Sequence, residues 1–332
     1  MMNKTFEKIC GMTQKQLKVY VSQELYKMYD NVHIGDGYVY AQGTFPVLLV
    51  AHLDTVHKKL PDPIFYDMVK GEYHSPNGIG GDDRCGVYMI LQIIKKYDCS
   101  VLFCEDEESG CIGAKKFVQT DLAKELEFNY AIELDRRGKN DAVFYDCDNP
   151  EFEDFITKEF FETAYGSFTD ICTVAPVIGC AAVNFSCGYY GAHTEKEYVV
   201  MSEMEKVIEE TCKLLERTTE DDKFEYIESK YGGYGCYGYG WGGYSSSNYV
   251  YSGWEEYDGG SWKGNGFVYY NDDDDDYDDY YYYLIEFYDN NGKSQWFETF
   301  ATSEAEAVGR CLMRHCDITY SQIGDVMRDK IQ

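Results

Sequence analysis

The sequence predicts an α/β fold, a three-layer αβα sandwich around a mixed, mostly parallel central sheet. Three observations carry this. Short apolar runs alternate with stretches of helical spacing along the first two thirds of the chain. The runs are continuously apolar, as in strands buried on both faces, rather than alternating apolar and polar. Strands that alternate with helices pair in parallel through crossovers, which cover both faces of the sheet.

The strands are read in FPVLLVAHLD, SVLFCEDE, FNYAIELD and AAVNFS. Helices are read in TQKQLKVYVSQELYKMY, RCGVYMILQIIKKY, EFEDFITKEFFETAYG and SEMEKVIEETCKLLERT. The last begins at Ser202 with Glu205 three residues on, the spacing of a capping box. Near the C-terminus YYLIEFYDNNGKSQWFETF reads as a hairpin turning at Asn291-Gly292. SEAEAVGRCLMRH then reads as a helix capped by Ser303, giving a small ββα module. Its Cys311, His315 and Cys316 are taken as ordinary helix residues rather than a metal site.

Between these folded parts the composition changes. The chain has 33 Tyr and 31 Gly in 332 residues, and from Tyr231 to Tyr282 these two types supply half of all positions. That stretch has almost no Leu, Ile or Val and cannot build a packed core. The expected organisation is a folded domain over 1–222, a disordered Tyr/Gly/Asp-rich low-complexity linker over 223–282, and the ββα module over 283–332. Tyr-Gly tracts can self-associate by ring stacking, so a protein partner or self-association through this segment is one expectation.

Acids outnumber bases 59 to 30, a formal charge of −29. Like charges repel, which argues against nucleic acid or an anionic membrane as the main partner. No apolar run approaches the roughly 20 residues of a membrane span. The start, MMNKTFEKICGM, lacks the apolar stretch of a secretory signal. The 13 cysteines are scattered and never spaced C-x-x-C. That fits a reducing, cytoplasmic setting rather than a disulfide framework.

Five acid or His positions fall at the ends of the strands or just after them, where open α/β sheets bind ligands. His52 ends an apolar run, and Asp54, two residues on, points the same way in extended chain. A carboxylate on the far nitrogen of an imidazole fixes its tautomer and strengthens it as a metal ligand. Asp82 follows glycines in GIGGDDRCGVY. Glu107 and Glu108 are adjacent, so one can ligate a metal while the other handles protons. Asp135 ends FNYAIELD, and His193 lies in GAHTEKEY. Two imidazoles with several carboxylates suit Zn2+, and also Mn2+ or Co2+, better than copper.

The joint order is H-x-D, G-G-D-D-R-x-G, E-E-x-G-x-x-G-A, a strand-final Asp, then G-x-H-T-x-x-E. It resembles the co-catalytic dinuclear zinc peptidases: leucyl aminopeptidases, peptidase T, glutamyl aminopeptidases and the carboxypeptidase G group. The resemblance spans about Val47 to Leu215. It implies the zinc-exopeptidase fold, phosphorylase/hydrolase-like, for the 1–222 domain, and two divalent ions, zinc first. Asp82 would bridge them, with His52 and Asp135 completing one ion and Glu108 and His193 the other. Glu107 would be the general base, and Asp54 would hold His52. The peptide after Asp82 is often cis in such enzymes. GSFTDI resembles their Gly-Thr-Asp turn, which gives Asp170 a supporting role. No motif position falls on His33, His57, His74 or His315, and His57 is the one expected nearest the site.

The intervals from His52 to Asp82 and from Asp135 to His193 are too short for the inserted lid domains of many relatives. The expectation is a lid-less catalytic domain, laid out as in the leucyl aminopeptidases. The implied function is a metal-dependent hydrolase of peptide or small amide substrates, most of all an aminopeptidase. A water bridged between the ions would attack and Glu107 would move its proton. The alternatives are an N-deacylase or carboxypeptidase using the same metals, or a non-catalytic scaffold acting through the Tyr-rich segment. Asp83, Asp106 and Glu133 are acids beside the motifs that could hold a substrate ammonium, and none is assigned.

Overall fold

A computed structural model of the chain describes residues 3–229, apart from Ser167, and in the last part residues 281–289, 292–301, 307, 308, 311 and 322–330. The first part opens with α1 (Lys4–Cys10), α2 (Gln14–Leu25), β1 (Val32–Gly35), β2 (Tyr38–Ala41) and β3 (Phe45–His52). A small hairpin, β4 (Phe65–Asp67) and β5 (Glu72–His74), precedes α3 (Gly81–Ile93). Then come β6 (Cys99–Cys104), α4 (Ile112–Val118), α5 (Asp121–Lys124), β7 (Tyr130–Arg136), β8 (Asp141–Val143), α6 (Pro150–Thr157) and β9 (Glu162–Ala164). The part closes with α7 (Asp170–Ile178), β10 (Ala182–Ser186), β11 (Tyr189–Tyr190), β12 (Tyr198–Val200) and α8 (Met201–Arg217).

Eight strands form one sheet in the order β1-β2-β6-β3-β7-β10-β8-β9. Its centre is parallel: β3 pairs with β6 and β7, and β7 with β10. The β1-β2-β6 side and the β10-β8 pair are antiparallel. The four apolar runs read from the sequence are the four central parallel strands, and the αβα sandwich is observed.

Strand β3 shows why. Its last six residues are all buried. Val47, Leu49 and Ala51 face one core, shared with Phe6 of α1, Leu17 of α2, Val87 of α3 and Met204 of α8. Leu48 and Val50 face the other, with Phe117 of α4 and Val174 of α7. Each such side chain contributes about 1.5–3 kcal/mol when fully buried, so a strand apolar on both faces is stable only between two helical layers.

A second, four-stranded sheet, β11-β12-β5-β4, lies apart from the main one in pairing. It packs β11 against α3. The sheet places the loop between β11 and β12 over the start of that helix.

The structure departs from the sequence reading in several elements. The stretch EFEDFITKEFFETAYG is not one helix: α6 ends at Thr157, and Glu162–Ala164 pair with β8 as an edge strand. Ser202 does not cap α8. The helix starts at Met201 with Val200 as its N-cap, because the chain arrives directly from β12, held by Val200 N donating to Gly188 O at 2.8 Å. The folded part also runs past residue 222. Phe224 packs at tilted ring angles against Phe152, Phe155 and Tyr130, and its amide donates to Asn129 O at 2.9 Å.

In the last part, β13 (Tyr281–Tyr288), β14 (Ser294–Ala301) and β15 (Ile323–Lys330) form an antiparallel sheet in the order β14-β13-β15. The two strands of the hairpin are observed as β13 and β14, with Gly292 at φ 73°, while Asn291 lies outside the described residues. Strand β15 was not read. Its Asp325, Arg328, Asp329 and Lys330 hide the apolar alternation, as charges on an edge strand do. Cys311 is buried against Tyr283 and Ile285. The linker, the Ser303 cap, His315 and Cys316 lie outside the described residues. No helix among the described residues is long and apolar enough to cross a membrane.

Candidate metal centre and active site

The crossover from β3 leads to β6 on one side of it, and the next crossover, from β6, leads back to β7 on its other side. A crevice opens at the carboxyl ends of strands where connections diverge in this way. His52 is the last residue of β3. Beyond β6, Asp106 adopts φ 59° and turns the chain back so that Glu107 and Glu108 face the same crevice. Asp135 is the penultimate residue of β7, and His193, at φ 62°, lies in the β11–β12 loop.

Asp82 comes from the first turn of α3. The helix approaches β7 so closely that a Cβ on Gly86 would lie 1.9 Å from Leu134 O. Only glycine permits that contact, which sets how near Asp82 comes to Asp135.

The side chains converge tightly. His52 Nε2 lies 2.9 Å from Asp135 Oδ1 and 3.9 Å from Asp82 Oδ1. His193 Nε2 lies 2.9 Å from Asp82 Oδ2 and 3.0 Å from Glu108 Oε1. Asp54 Oδ1 sits 3.2 Å from His52 Nδ1. The Asp54 carboxylate also accepts the amides of Glu107 (2.9 Å) and Glu108 (3.0 Å). One carboxylate thus orients an imidazole and fixes the Glu107–Glu108 backbone. Arg84, fully buried, donates to the carbonyls of Leu53 and Asp54 at 2.8 and 2.9 Å and braces the turn that carries Asp54.

The electrostatics follow from this crowding. Burial alone would lower the His52 pKa, but Asp135, Asp54 and Asp82 hold it well above the usual imidazole range. His193 is likewise raised against the effect of burial, by Glu108 and Asp82. Burial opposes ionisation of Asp82, yet the two imidazoles keep its carboxyl well below the usual range. Burial pushes Asp135 up to about 8, with His52 opposing and Asp82 adding to it. Glu107 is raised well above an ordinary carboxyl, by burial and then by Glu108, Asp135 and Asp170, while His52 opposes. A carboxyl group beside the candidate ligands can take a proton from a water and return it to a leaving group.

Three groups of donors could each hold a cation: His52, Asp82 and Asp135; Asp82, Glu108 and His193; and His52, Glu107 and Glu108. Within each, the ligand atoms lie within 4.8 Å of one another. The donor set fits a divalent ion. Carboxylates packed this closely repel unless positive charge stands between them, and borderline-hard nitrogen and oxygen donors suit zinc or manganese.

Several neighbours were not singled out from the sequence. Tyr189, the first residue of β11, places its hydroxyl 2.8 Å from Asp82 Oδ1 and 2.9 Å from Asp135 O. Glu197, fully buried, accepts the amides of Gly80 (2.7 Å) and Asp82 (3.1 Å) and lies 2.9 Å from His57 Nε2. Glu197 is the last residue of G-x-H-T-x-x-E, the only signal that pointed to it. Thr169 Oγ1 donates to Asp135 Oδ2 at 2.8 Å, and Asn184 Oδ1 accepts the Asp135 amide at 2.9 Å. Asp170 is fully buried and, by burial and then Glu133, its carboxyl is raised. Glu133 is also fully buried, and Asp106 accepts from Gln14 Nε2 at 3.0 Å. His33 and His74 are exposed. The Asp83 side chain lies outside the described residues.

Residues 39–172 match the family described as Peptidase family M28. The fold is similar to that of the aminopeptidase PepT from Bacillus cereus, with 14% identity and a TM-score of 0.51 over 64% of this chain and 96% of that chain. It is similar to a tripeptidase from Staphylococcus aureus at 12% identity and a TM-score of 0.50, covering 64% of this chain and 97% of that one. An aminopeptidase from the archaeon Desulfurococcus kamchatkensis shows 14% identity and a TM-score of 0.50, over 66% and 95% of the two chains. No curated protein matches the sequence.

Proposed function

From the match of residues 39–172 to the family described as Peptidase family M28, we propose that this metal-dependent hydrolase is an aminopeptidase of the co-catalytic zinc type that binds two divalent ions, zinc first. The observation that carries this reading is the approach of both imidazoles, His52 and His193, to opposite oxygens of one carboxylate, Asp82. Asp82 would bridge, His52 and Asp135 would complete one ion, and Glu108 and His193 the other. Ions held there supply Lewis acidity and lower the pKa of a water towards neutrality.

The chain's own residues do the rest. The Glu107 carboxylate takes a proton from the attacking water and returns it to the leaving nitrogen. Its amide and that of Glu108 are pinned by Asp54, so base and ligand keep a fixed register. Burial of Glu107 keeps competing solvent from its carboxyl.

The test is mass spectrometry of a peptide library, with free and with acetylated N-termini, incubated with zinc-loaded protein. Stepwise loss of N-terminal residues from free-amine peptides alone is expected. Glu107→Gln is expected to bind metal and to lose about 100- to 10,000-fold in turnover. Release of acetate or of C-terminal residues would replace the aminopeptidase with a deacylase or a carboxypeptidase. Wild-type rates in Glu107→Gln would sink the assignment of the base.

A further inference from the structure

We propose that Tyr189 and Glu197 are positioning residues that together fix Asp82 as the bridge of the metal centre. The inference rests on the reading of Asp82 above and assigns roles to two side chains outside the donor groups.

A bridging carboxylate must present its two oxygens in two directions. The terminal torsion of an Asp side chain is broad and two-fold, so nothing intrinsic to Asp82 decides which oxygen faces which imidazole. Its surroundings decide. Oδ2 is 2.9 Å from His193 Nε2, and Oδ1 is on the His52 side, at 3.9 Å. Tyr189 breaks the equivalence, because its hydroxyl proton lies within reach of Oδ1 at 2.8 Å and of the Asp135 carbonyl at 2.9 Å. The same hydroxyl therefore ties Asp82 to the strand end that carries Asp135.

Glu197 acts on the other end of the residue. Its Oε1 accepts the Asp82 amide and its Oε2 the Gly80 amide, so the backbone before and at Asp82 is held by one carboxylate. A buried carboxylate needs compensation, and His57 Nε2 at 2.9 Å supplies it.

Both residues and His193 belong to one excursion of the chain, between β10 and α8. It is closed at its base by Gly188 N donating to Gly138 O and Val200 N donating to Gly188 O, each at 2.8 Å. It rests directly on the first turn of α3, where a Cβ on Gly81 would lie 2.7 Å from both Tyr189 Cβ and Val199 Cγ2. One loop thus delivers a candidate ligand and sets the orientation of the carboxylate that this ligand shares with its neighbours.

The experiment uses the full chain after chelation and dialysis. Zn2+ and Co2+ are titrated calorimetrically into wild type, Tyr189→Phe and Glu197→Gln, and the visible absorption of the Co2+ forms is recorded. Removing an outer partner of a metal ligand typically lowers affinity about 10- to 100-fold. Tyr189→Phe is expected to show a loss of that size for at least one ion and an altered Co2+ spectrum. The melting temperature of its chelated form is expected to match wild type. Glu197→Gln is expected to show at least as large a loss. An isotherm and spectrum equal to wild type in Tyr189→Phe overturn the proposal, whether or not its melting temperature falls. Tyr189→Phe deletes one oxygen and decides the matter if Glu197→Gln does not fold. A wild-type chain that takes up no divalent ion instead overturns the metal-centre reading itself.

Discussion

Asp54 does more than the H-x-D spacing implies. The spacing puts Asp54 on the same side as His52, and the structure places them 3.2 Å apart. The spacing does not reveal that Asp54 also receives two amides from the Glu107–Glu108 turn. Those bonds, with the bond to His52, keep its carboxyl below the usual range despite burial. Gly86 is the other residue on which the site depends without touching it. Gly86→Ala would drive a methyl into Leu134 O and towards Ala51 Cβ. Overpacking of this kind costs roughly 1–3 kcal/mol or more. The expected outcome is a clear drop in melting temperature together with weaker zinc binding, since α3 must move outward and carries Asp82 with it. A Gly86→Ala protein with wild-type melting and zinc titration would show that the contact between α3 and β7 does not set the site.

At the scale of elements, the segment after α8 belongs to the folded part. Phe224 joins a ring cluster with Phe152, at 5.2 Å between centroids, and Phe155, at 5.0 Å. The flanking backbone pairs with residues near Cys180 and Cys147. Full truncation of a buried Phe costs about 3–5 kcal/mol, and Phe224 is half-buried, so Phe224→Ala should cost roughly 2–3 kcal/mol. A chain ended after Ser229 should therefore hydrolyse substrate as the full chain does. A chain ended at Asp222 should melt earlier by several degrees. Equal melting of the two truncations would show that the segment only rests on the surface. The sequence reading placed the boundary at 222 because the alternation of apolar and amphipathic stretches ends there. The pairing that holds residues 223–229 is with residues distant in sequence, Cys147 and Cys180 among them, and leaves no local periodicity.

At the scale of the whole molecule, the metal centre couples stability to pH. In the protein alone, Asp135 and Glu133 have pKa values of about 8, against 3.8 and 4.5 in an unfolded chain. The folded state then holds more protons than the unfolded one between those values, so stability falls as pH rises through that range. His52 and His193 act in the same sense. Their raised values contribute stability that is complete below about 6.5 and is lost as pH rises through the folded values. Asp54 and Asp82, with lowered values, lose their contribution only on acidification and do not change above about pH 5. Metal binding has the opposite slope, because its ligands must be deprotonated. Chelated protein should lose melting temperature from about pH 5 to about pH 8, while zinc should raise it by a growing margin over that range. A margin that is constant or shrinks with pH would contradict the proposed ligand set.

The sequence by itself determined the layers and the order of the chemistry. Continuous apolar runs such as PVLLVA can be stable only as strands covered on both faces, and that pattern is local. Part of the candidate site is legible for a related reason: His52, Glu108 and Asp135 lie at or just beyond the end of such a run, where the chain leaves the core, while Asp82 and His193 stand in Gly-bearing motifs. What only the tertiary structure decided is which distant groups meet there. Tyr189 touches Asp82 across 107 residues of sequence, and Glu197 reaches the Asp82 amide across 115. No periodicity or spacing encodes such contacts. They arise because β7 and β10 pair in parallel, and the chain leaving β10 must cross the start of α3 before α8 can cover the sheet.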